Sequence, residues 1–566
     1  MRPADRGELE SLYFKYPKFR FKRPPELAGK SARHPVVVAG AGPVGMTAAI
    51  AMAVYGIPSV VLDKKDTLND GSRAICISRH SFEILHKLGA VEPFVQKGLG
   101  WTHGRCYYRD AMIYRLEMPH SEEERFFPMY NLQQQYIEQF LADKIAEFPD
   151  LIDMRWQSEV TGLRSTTDGP ELTIKTPEGE YPLQSRYLLA ADGAKSRIRE
   201  LLGLRLQGEN LPGHYVIADI QMEHDFPTER RCFFESAANP ESTILIHRQP
   251  DNIWRVDWQL PEHRDFTEAV EEDEIRSRVR SILQMIGHTG AWELEWWSIY
   301  TANTLCLDEY RHGSVFFAGD AAHIVPIFGV RGLNNGIADA LNAAWKLAYI
   351  LNGDAGPKLL ESYTPERRGA TLDVFRNAGK SSRFMTPPSR GYALMRKAAL
   401  QLSLTQDFTR KLADPRQVVP YTYRDSPLSG YAVRDREFSG GVDAGDVSAN
   451  RKIGDGDYLF DHLGPGFTGL YFTRQKQVPD NVVALFARLA ALDRYFKPLV
   501  VASKESQPGD IEVIEDRRGS LFEGYAAIDG SFYLIRPDLY VAARWVSVAS
   551  DEVEQALRTV LGRNGR

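Results

Sequence analysis

PVVVAGAGPVGMTAAIAMAVYGIPSVVLD, residues 35–63, is the stretch that decides the fold. An apolar β-branched run, a glycine turn, an alanine-rich segment and a second apolar run predict a strand–helix–strand unit. Within its GxGxxG pattern, Gly40 suits a tight turn, Gly42 lets the backbone approach a pyrophosphate, and Gly45 lets the helix pack closely on the strand. Asp63 follows at about the distance, roughly 20 residues, of a carboxylate that binds a ribose hydroxyl. The unit therefore predicts a dinucleotide site that favours FAD or NAD over NADP.

The composition narrows the class of protein. The length of 566 residues predicts roughly three to four domains. A hydrophobic content of 43%, a charged content of 25% and a net charge of −6 are typical of a globular protein and argue against a general nucleic-acid binder. No apolar run approaches the length of a membrane span. The four cysteines are far apart in the sequence, which predicts no metal site and no disulfide framework and favours a reducing cytoplasm.

The N-terminal extension is rich in aromatic and basic residues, which interleave between Tyr13 and Arg23. It lacks the apolar core of a signal peptide. Such an arm could contact a nucleic acid or a membrane, or its aromatic side chains could pack on the body of the protein. The negative overall charge favours the second interpretation.

Two further motifs follow strand-like runs. Asp192-Gly193, with Ser196 and Arg199, follows one buried run, and Gly319-Asp320 follows another and leads through a Pro/Gly loop to Asn334. An aspartate at the end of a buried strand that faces a cleft is a natural acceptor for a hydroxyl group. Asp320 fits this description, whereas a plain turn from strand to helix is the alternative for Asp192-Gly193.

Together, and in this order, the three motifs resemble those of the single-component FAD-dependent aromatic hydroxylases, the para-hydroxybenzoate hydroxylase and phenol hydroxylase family. The resemblance is closest to 3-(3-hydroxyphenyl)propionate hydroxylase-like proteins. It covers about residues 34–385 and extends to 456–566, where it implies a thioredoxin-like domain. No cysteine follows Cys306, so dithiol chemistry is excluded there, and packing or dimerisation is the expected role of this domain.

The predicted fold is α/β, a Rossmann-like FAD-binding domain with an inserted, mostly β substrate domain and a C-terminal thioredoxin-like α/β domain. The predicted segments are the N-terminal extension 1–33, the first part of the FAD-binding domain 34–205, the inserted sheet 206–300, the second part 301–385, a connecting region 386–455, and the thioredoxin-like domain 456–566.

The resemblance implies an enzyme that hydroxylates a phenol with FAD, NADH or NADPH, and O2 through a C4a-hydroperoxyflavin, and that is a cytoplasmic homodimer. Two alternatives stay open, a flavin oxidase or halogenase-like relative and a non-catalytic flavoprotein. The chain lacks a Trp-x-Trp-x-Ile-Pro stretch, which disfavours the halogenase. It also lacks a second nucleotide-binding unit, which favours transient binding of NAD(P)H.

The resemblance also implies roles for residues. Asp192 is expected to help hold both FAD and NAD(P)H, and Asp320 to contact the ribityl chain of the flavin. The residues expected at the cofactor are Gly40, Ala41, Gly42, Pro43, Val44, Gly45, Asp63, Lys64, Arg73, Gln134, Val160, Asp192, Gly319, Asp320, Gly332, Leu333 and Asn334. Leu333 and Asn334 are expected to act through their backbone, so that side-chain substitutions there would have mild effects.

His323 and Arg331 are the candidate catalytic residues, with a satisfied structural histidine as the alternative for His323. The candidates for the wall of the substrate pocket are Tyr215, His247, Arg248 and Trp258. Because alternate residues of a strand face opposite sides, not all of them can face the pocket.

The sequence departs from the family pattern at three places. Pro326-Ile327 stands where the family usually has a Pro-Pro pair after the third motif. Val330-Arg331 stands where many members have small residues or glutamine, and Leu539 stands where a glycine is common. Arg331 is therefore expected to alter the electrostatics near the flavin.

Overall fold

The computed structural model describes residues 1–30, 32–260, 266–326, 330–413, 419–429, 438–503 and 511–563. Residues 327–329 of the predicted Pro/Gly loop lie outside the described residues. The elements of the first part are β1 (Arg33–Ala39), α1 (Pro43–Val54), β2 (Ser59–Leu62), β3 (Cys76–Ser78), α2 (Arg79–Lys87), α3 (Glu92–Lys97), β4 (Leu99–Trp101), β5 (His103–Tyr108), β6 (Ala111–Glu117), β7 (Met129–Asn131), α4 (Gln134–Ile145), β8 (Ile152–Arg155), β9 (Glu159–Thr166), β10 (Gly169–Thr176), β11 (Gly179–Ala190) and α5 (Arg197–Leu201).

The middle of the chain contains β12 (Gln207–Met222), β13 (Arg230–Ser236), β14 (Asn239–Arg248), β15 (Ile253–Leu260), α6 (Phe266–Ala269), α7 (Glu272–Met285), β16 (Trp292–Cys306), β17 (Arg311–His312), β18 (Val315–Phe317), β19 (His323–Ile324), α8 (Gly332–Leu351) and α9 (Tyr363–Met385). The last part contains α10 (Arg390–Leu402), α11 (Asp407–Arg410), β20 (Lys452–Gly454), β21 (Asp457–Tyr458), β22 (Thr468–Thr473), α12 (Asp480–Leu492), β23 (Lys497–Ala502), β24 (Glu512–Glu515), α13 (Ser520–Gly524), β25 (Phe532–Ile535), β26 (Val541–Trp545) and α14 (Ser550–Val560).

The nucleotide-binding sheet has the order β17-β18-β11-β1-β2-β8, with β10 and β9 attached beside β11. Strands β18, β11, β1, β2 and β8 are parallel, and β1 is in the centre because Val36, Val37 and Val38 are fully buried on both faces. Ala39, Ala190 and Phe317 are in register at the carboxyl ends of β1, β11 and β18. The three sequence motifs therefore leave the sheet at the same edge.

The second large sheet has the order β19-β16-β12-β15-β14-β13-β5-β6. It contains the predicted inserted strands and also takes in β5 and β6 from the first part of the chain, which the sequence did not assign to it. The parallel pairing of β13 with β5, from Arg230 opposite Gly104 onward, makes this connection. One face of the sheet packs on α7, and we refer to the opposite face as the inner face.

The C-terminal domain is a five-stranded mixed sheet of order β24-β23-β22-β25-β26 with α12 and α14 against it. A buried ionic cluster joins it to α8 and α9. Arg536 binds both carboxylate oxygens of Glu366, at 2.6 and 2.9 Å, and also pairs with Asp538, while Lys346 donates to Glu366 at 2.6 Å. Burial lowers the pKa of Lys346 to about 8, although Glu366 opposes the shift. This cluster is consistent with the expected packing role of the domain.

Leu539 has a φ of +71° and is almost completely buried. A glycine adopts this left-handed conformation without strain, which gives a physical reason for the family pattern at this position. Here the leucine side chain contributes to the core and offsets the unfavourable backbone conformation.

The N-terminal arm packs on the body of the protein, as the charge balance indicated. Phe19 stacks on Trp156 with ring centroids 4.2 Å apart, and Phe14 contacts Tyr136 edge to face. Trp156 and Tyr136 belong to the nucleotide-binding half, and Glu295 on β16 of the second sheet binds the start of the arm. The arm therefore connects the two sheets.

None of the helices in the described ranges combines the length and the apolar composition that a membrane crossing requires.

Helix α10 lies in the segment 386–455, for which the sequence predicts a connecting region rather than a helix.

Glu295 is the residue on which the position of the arm depends. Its carboxylate is 1% exposed and accepts hydrogen bonds from Arg2 at 2.6 Å, Arg6 at 3.2 Å and the backbone N–H of Leu12 at 2.8 Å. We expect Glu295→Gln to lower the free energy of unfolding by about 3 kcal/mol, because it removes the buried counter-charge that Arg2 and Arg6 share and leaves each of them only a more exposed carboxylate. Chemical denaturation measures this loss, and trypsin digestion reports release of the arm.

The matched control is Glu293→Gln on the same strand, whose carboxylate pairs with Arg6 but is 57% exposed. Its effect should stay below about 1 kcal/mol. Equal losses for the two variants would contradict an anchoring role for Glu295.

Candidate functional site

The three motifs meet at the carboxyl edge of the nucleotide-binding sheet, where the backbone leaves little space. Gly40 has a φ of +105°, and a Cβ there would lie 2.4 Å from the carbonyl oxygen of Ala191. A Cβ on Gly45 would lie 2.0 Å from the carbonyl oxygen of Gly40. Gly40 therefore provides a tight turn, and Gly45 the close packing of helix on strand, as the pattern predicts.

The third motif packs directly on the first. Val44 lies against both Gly319 and Gly336, because a Cβ on either glycine would come within 3.0 or 2.6 Å of its side chain. The N–H of Gly319 donates to the carboxylate of Asp339 at 3.0 Å, which fixes the turn after β18 against α8. The ends of α1 and α8 are consequently held side by side.

Open space at two other glycines fits a bound dinucleotide. A Cβ on Gly42 or Gly193 would meet no protein atom within 4 Å. Gly42 is the N-cap residue of α1, and among the described residues no side chain caps the helix or adds negative charge to its first turn. The N-terminus of α1 can therefore accept a pyrophosphate group through its partial positive charge.

Asp63 lies beside this turn. Its two carboxylate oxygens accept hydrogen bonds from the backbone N–H groups of Ala41 and Lys65, at 2.9 and 3.0 Å. Each oxygen keeps a further lone pair for a ribose hydroxyl. Lys64, the next residue, is exposed.

Arg199 lies near the aspartates of both motifs, because it donates to the carbonyl oxygen of Ala321, next to Asp320, and because Asp192 and Asp320 both affect its pKa. Asp192 accepts a hydrogen bond from the N–H of Ile198 at 3.0 Å, while its Oδ1 is buried and has no partner among the described residues. Burial raises the pKa of Asp192, and hydrogen bonds from Ser196 and Ile198 oppose the shift. Asp320 is exposed to the cleft. Both carboxylates can therefore accept hydroxyl groups of a cofactor.

Arg73 is exposed on a loop that Gln134 supports. The side-chain oxygen of Gln134 accepts hydrogen bonds from the N–H groups of Arg73 and Ala74, at 3.3 and 3.2 Å, and its amide group donates to Glu138. The side chain of Val160 lies in the hydrophobic core, so only its backbone could contact a cofactor. These residues stay proposed rather than demonstrated cofactor contacts.

The side chain of Asn334 is buried and forms several hydrogen bonds, so the expectation that its substitution has a mild effect is wrong, while its backbone contact with the flavin stays a prediction. Its Oδ1 accepts from the N–H of Ser78 at 2.8 Å and from the hydroxyl of Ser81 at 2.7 Å. Its amide nitrogen donates to the carbonyl oxygens of Cys76 and Val330, at 3.3 and 2.7 Å. The side chain thus joins α8 to β3 and α2, and its loss would leave several buried groups unpaired.

His323 is completely buried, and this placement favours the structural interpretation. Its Nε2 lies 2.8 Å from the carboxylate of Asp339, which also accepts a hydrogen bond from Arg367 at 2.6 Å. Burial alone would raise the pKa of Asp339, but Arg367 and His323 hold it below its ordinary value. A phenol cannot reach His323 in this arrangement.

Arg331 is 4% exposed and lines a cavity of about 490 Å³ with residues of α9 and of the segment 419–425. None of the residues that line this cavity belongs to the sheet of β12 to β16. The preceding Val330 has a φ of +61°, a strained conformation for a β-branched residue, next to the N-terminus of α8.

The inner face of the second sheet carries Tyr215 and His247. Tyr215 is completely buried and its hydroxyl contacts that of Thr386 at 2.5 Å. Burial lowers the pKa of His247 well below its ordinary value, with a further contribution from Arg230 and Arg255, so the ring is neutral. Trp258 pairs with Val216 and packs in the core beside α7 on the opposite face. The expectation that Trp258 lines the same pocket is therefore wrong, because strand alternation turns it away.

Sequence reasoning missed three residues that share this region, Arg230, Asp257 and Cys76. Arg230 lies opposite His247 on the neighbouring strand, and Asp257 is two residues beyond Arg255 on the same strand. Arg230, Arg255 and Asp257 all affect the pKa of Cys76, which burial raises to about 12. A charged residue inside an apolar strand run, as in Val256-Asp257-Trp258, is the sequence signal that could have identified the two charged residues.

Comparison with known proteins supports the cofactor. A family model described as an FAD binding domain matches residues 33–378. The chain is similar to the 3-(3-hydroxy-phenyl)propionate/3-hydroxycinnamic acid hydroxylase of Mycobacterium avium (strain 104), with 26% identity over 92% of this chain and 91% of the relative. The corresponding hydroxylase 2 of Burkholderia vietnamiensis (strain G4 / LMG 22486) is 25% identical, over 93% and 96%.

Two solved structures have the same fold. The flavin-dependent monooxygenase PieE in complex with FAD and substrate gives a TM-score of 0.76 at 21% identity, over 94% of this chain and all of that one. Aklavinone-11 hydroxylase with FAD and aklavinone gives 0.73 at 21% identity, with the same coverage. These findings confirm the predicted fold class, the resemblance and the FAD requirement.

A pair of glycine substitutions separates cofactor binding from folding. We expect Gly42→Ala to change the free energy of unfolding by no more than about 1 kcal/mol, since its φ is −77° and its Cβ meets no protein atom. Its affinity for FAD should nevertheless fall at least tenfold, about 1.4 kcal/mol, because the Cβ occupies the space of the pyrophosphate. Flavin fluorescence titration measures the affinity.

Gly45→Ala is the matched variant, because its Cβ would collide with the Gly40 carbonyl rather than with a ligand. It should lower the free energy of unfolding by at least about 3 kcal/mol. Tight FAD binding by Gly42→Ala would exclude a pyrophosphate at this turn.

Proposed function

We propose that the substrate is a phenol that carries a carboxylate group. The premise is that this chain belongs to the FAD binding domain family and is an FAD-dependent aromatic hydroxylase. Bound FAD, reduced by NADH or NADPH, supplies the activation of O2. The protein must bind the phenol, orient it and exclude water. The inner face of the second sheet is the surface that we assign to this task.

The proposal depends on the buried guanidinium group of Arg230. It is 4% exposed, and its Nε and Nη1 are buried without a hydrogen-bond partner among the described residues. Two nearby acids are already used, because Asp219 binds Arg255 through both oxygens and Glu229 binds Arg105 and Arg231. A buried guanidinium without a counter-charge is costly, and a planar carboxylate is the group that satisfies it best.

The names of the relatives point to the same chemistry. 3-(3-Hydroxyphenyl)propionate and 3-hydroxycinnamic acid both carry a ring hydroxyl and a carboxylate. We infer that the substrate here has both groups, with the carboxylate at Arg230. The N-terminus of α8, which has no acidic residue in its first turn, would favour negative charge on the reduced flavin.

The experiment compares 3-(3-hydroxyphenyl)propionate with 3-ethylphenol in the purified holoenzyme. We expect NAD(P)H oxidation coupled to a hydroxylated product, with little hydrogen peroxide. Arg230→Met should raise KM for the carboxylate about 100-fold, because it removes a desolvated charge pair, and should leave KM for 3-ethylphenol nearly unchanged. Product analysis and peroxide detection accompany each assay.

The control is Arg231→Met, the adjacent residue whose partner is Glu229. It should change the two KM values equally. Oxidation that is independent of phenol and releases stoichiometric peroxide would instead identify a flavin oxidase, and equal effects of Arg230→Met on both phenols would refute the carboxylate site.

We also propose that the protein is a cytoplasmic homodimer. All four cysteines are buried, and none forms a disulfide in the part of the chain that the structure describes, which suits a reducing compartment. Several apolar side chains in α10 and in the short helical turns after it are exposed. They include Leu394, Phe408 and Leu412, with exposed fractions of 60%, 76% and 54%. A second copy would cover these side chains, since exposed apolar surface of sufficient size marks protein interfaces.

Sedimentation velocity tests the dimer. The double variant Leu394→Ser/Phe408→Ser should sediment as a monomer, whereas Ile528→Ser, which alters a 52% exposed apolar residue of the C-terminal domain, should not change the mass. A wild-type monomer would refute the proposal.

A further inference from the structure

Asp257 is a buried carboxylate that accepts no hydrogen bond from the described residues. It lies on β15 between Leu245 of β14 and Ile217 of β12 and is 6% exposed. Its Oδ1 is buried and has no partner in the part of the chain that the structure describes. A buried carboxylate of this kind is costly to maintain in a protein and is therefore a candidate for function.

The nearest arginine does not neutralise it. Arg255 is on the same face of β15, but its guanidinium binds both oxygens of Asp219, at 2.8 and 2.9 Å, and donates to the carbonyl oxygens of Ser72 and Arg73. Arg230 lies two strands away and makes no ion pair with Asp257. The structure thus pairs Asp219 with Arg255, whereas Asp257 and Arg230 stay apart.

The other titratable groups that face Asp257 are neutral near pH 7. His247 on β14 has a strongly lowered pKa, and burial raises the pKa of Cys76 on β3 and of Tyr300 on β16. For Asp257 itself, burial raises the pKa to about 7, Asp219 adds to the shift, and Arg255 and Arg230 oppose it. Asp257 can therefore change its protonation state in the range where the other groups do not.

We propose that Asp257 is the catalytic base that takes the proton from the ring hydroxyl of the substrate; this rests on the proposed function. The phenol O–H bond breaks, the proton bonds to a carboxylate oxygen of Asp257, and the electron pair stays on the phenolate oxygen. The phenolate donates electron density to the ring and makes it a better nucleophile toward an electrophilic oxygen. Arg230 holds the carboxylate of the same molecule on the same face.

The alternatives for a base are less suitable. His323 is completely buried and bound to Asp339. The hydroxyl of Tyr215 contacts Thr386, and burial raises its pKa far above the neutral range. His247 faces the same space, but its low pKa makes it a weak base. Asp257 is the buried carboxylate on this face that is free of a strong pair.

The test uses Asp257→Asn, which preserves shape and removes the charge. Under anaerobic conditions, without NAD(P)H, the oxidised holoenzyme is titrated with 3-(3-hydroxyphenyl)propionate, and the ultraviolet difference spectrum reports phenolate. Wild type should bind phenolate at pH 8 and much less at pH 6. The variant should bind the neutral phenol at both values, since a phenol ionises at about pH 10.

In turnover, kcat of the wild type should rise as pH increases through about 7. Asp257→Asn should lose at least 100-fold in kcat, with little change in KM, and should lose this pH dependence. Glu293→Gln, which alters an exposed carboxylate of β16 outside the inner face, is the control and should keep the phenolate signal. His247→Asn tests the alternative base on the adjacent strand.

A stability measurement separates folding from catalysis. Because the folded pKa of Asp257 lies above the ordinary value of 3.8, the folded state binds more protons than the unfolded state between about pH 4 and 7, so stability falls as pH rises through this window. Asp257→Asn should therefore raise the thermal midpoint relative to wild type at pH 8 but not at pH 4.

These measurements distinguish a failure of the proposed function from a failure of the assignment of Asp257. If wild type hydroxylates no phenol, the proposed function fails. If it does, but the phenolate signal survives in Asp257→Asn or disappears only in His247→Asn, the assignment of Asp257 is overturned while the proposed function stands.

Discussion

The contact between the backbone of Gly40 and that of Ala191 is the constraint on which the rest of the nucleotide-binding half depends. It brings the ends of β1 and β11 together, and the packing of Val44 on Gly319 and Gly336 adds the end of β18 and the start of α8. Side chains would push these segments apart, so the glycines hold two helix N-termini and two aspartates around one cleft. The open space at Gly42 and Gly193 is what the cofactor then fills.

Buried charge is handled in two ways in this protein. Where the role is structural, each charge is paired, as in the cluster of Glu366 with Lys346 and Arg536 and in the contacts of Asp339 with His323 and Arg367. On the inner face of the second sheet, Arg230 and Asp257 are not paired with each other or with a neighbour among the described residues. The cost of burying such charges unpaired supports the assignment of that face to a ligand that carries complementary groups.

The sequence predicted the residues that depend on local pattern. The glycine turn with its preceding strand, the aspartates that follow β11 and β18, and the helix beginning near Asn334 all follow from short-range rules on turns, strand ends and periodicity. Prediction failed where a partner is distant in the chain. The sequence does not reveal the structural role of the Asn334 side chain, because its hydrogen-bond partners Ser78 and Ser81 lie about 250 residues earlier. The pairing of β13 with β5 was missed for the same reason.

By itself, the sequence determined the fold class, the order of the motifs and the cofactor, because glycine geometry and strand–helix alternation are local properties that the chain carries wherever it folds. Only the tertiary structure decided which strand residues share a face. It turned Trp258 toward α7, buried His323 against Asp339, and placed Arg230 and Asp257 beside His247. That choice depends on register between strands far apart in sequence, and a shift of one residue would exchange the two faces of the sheet.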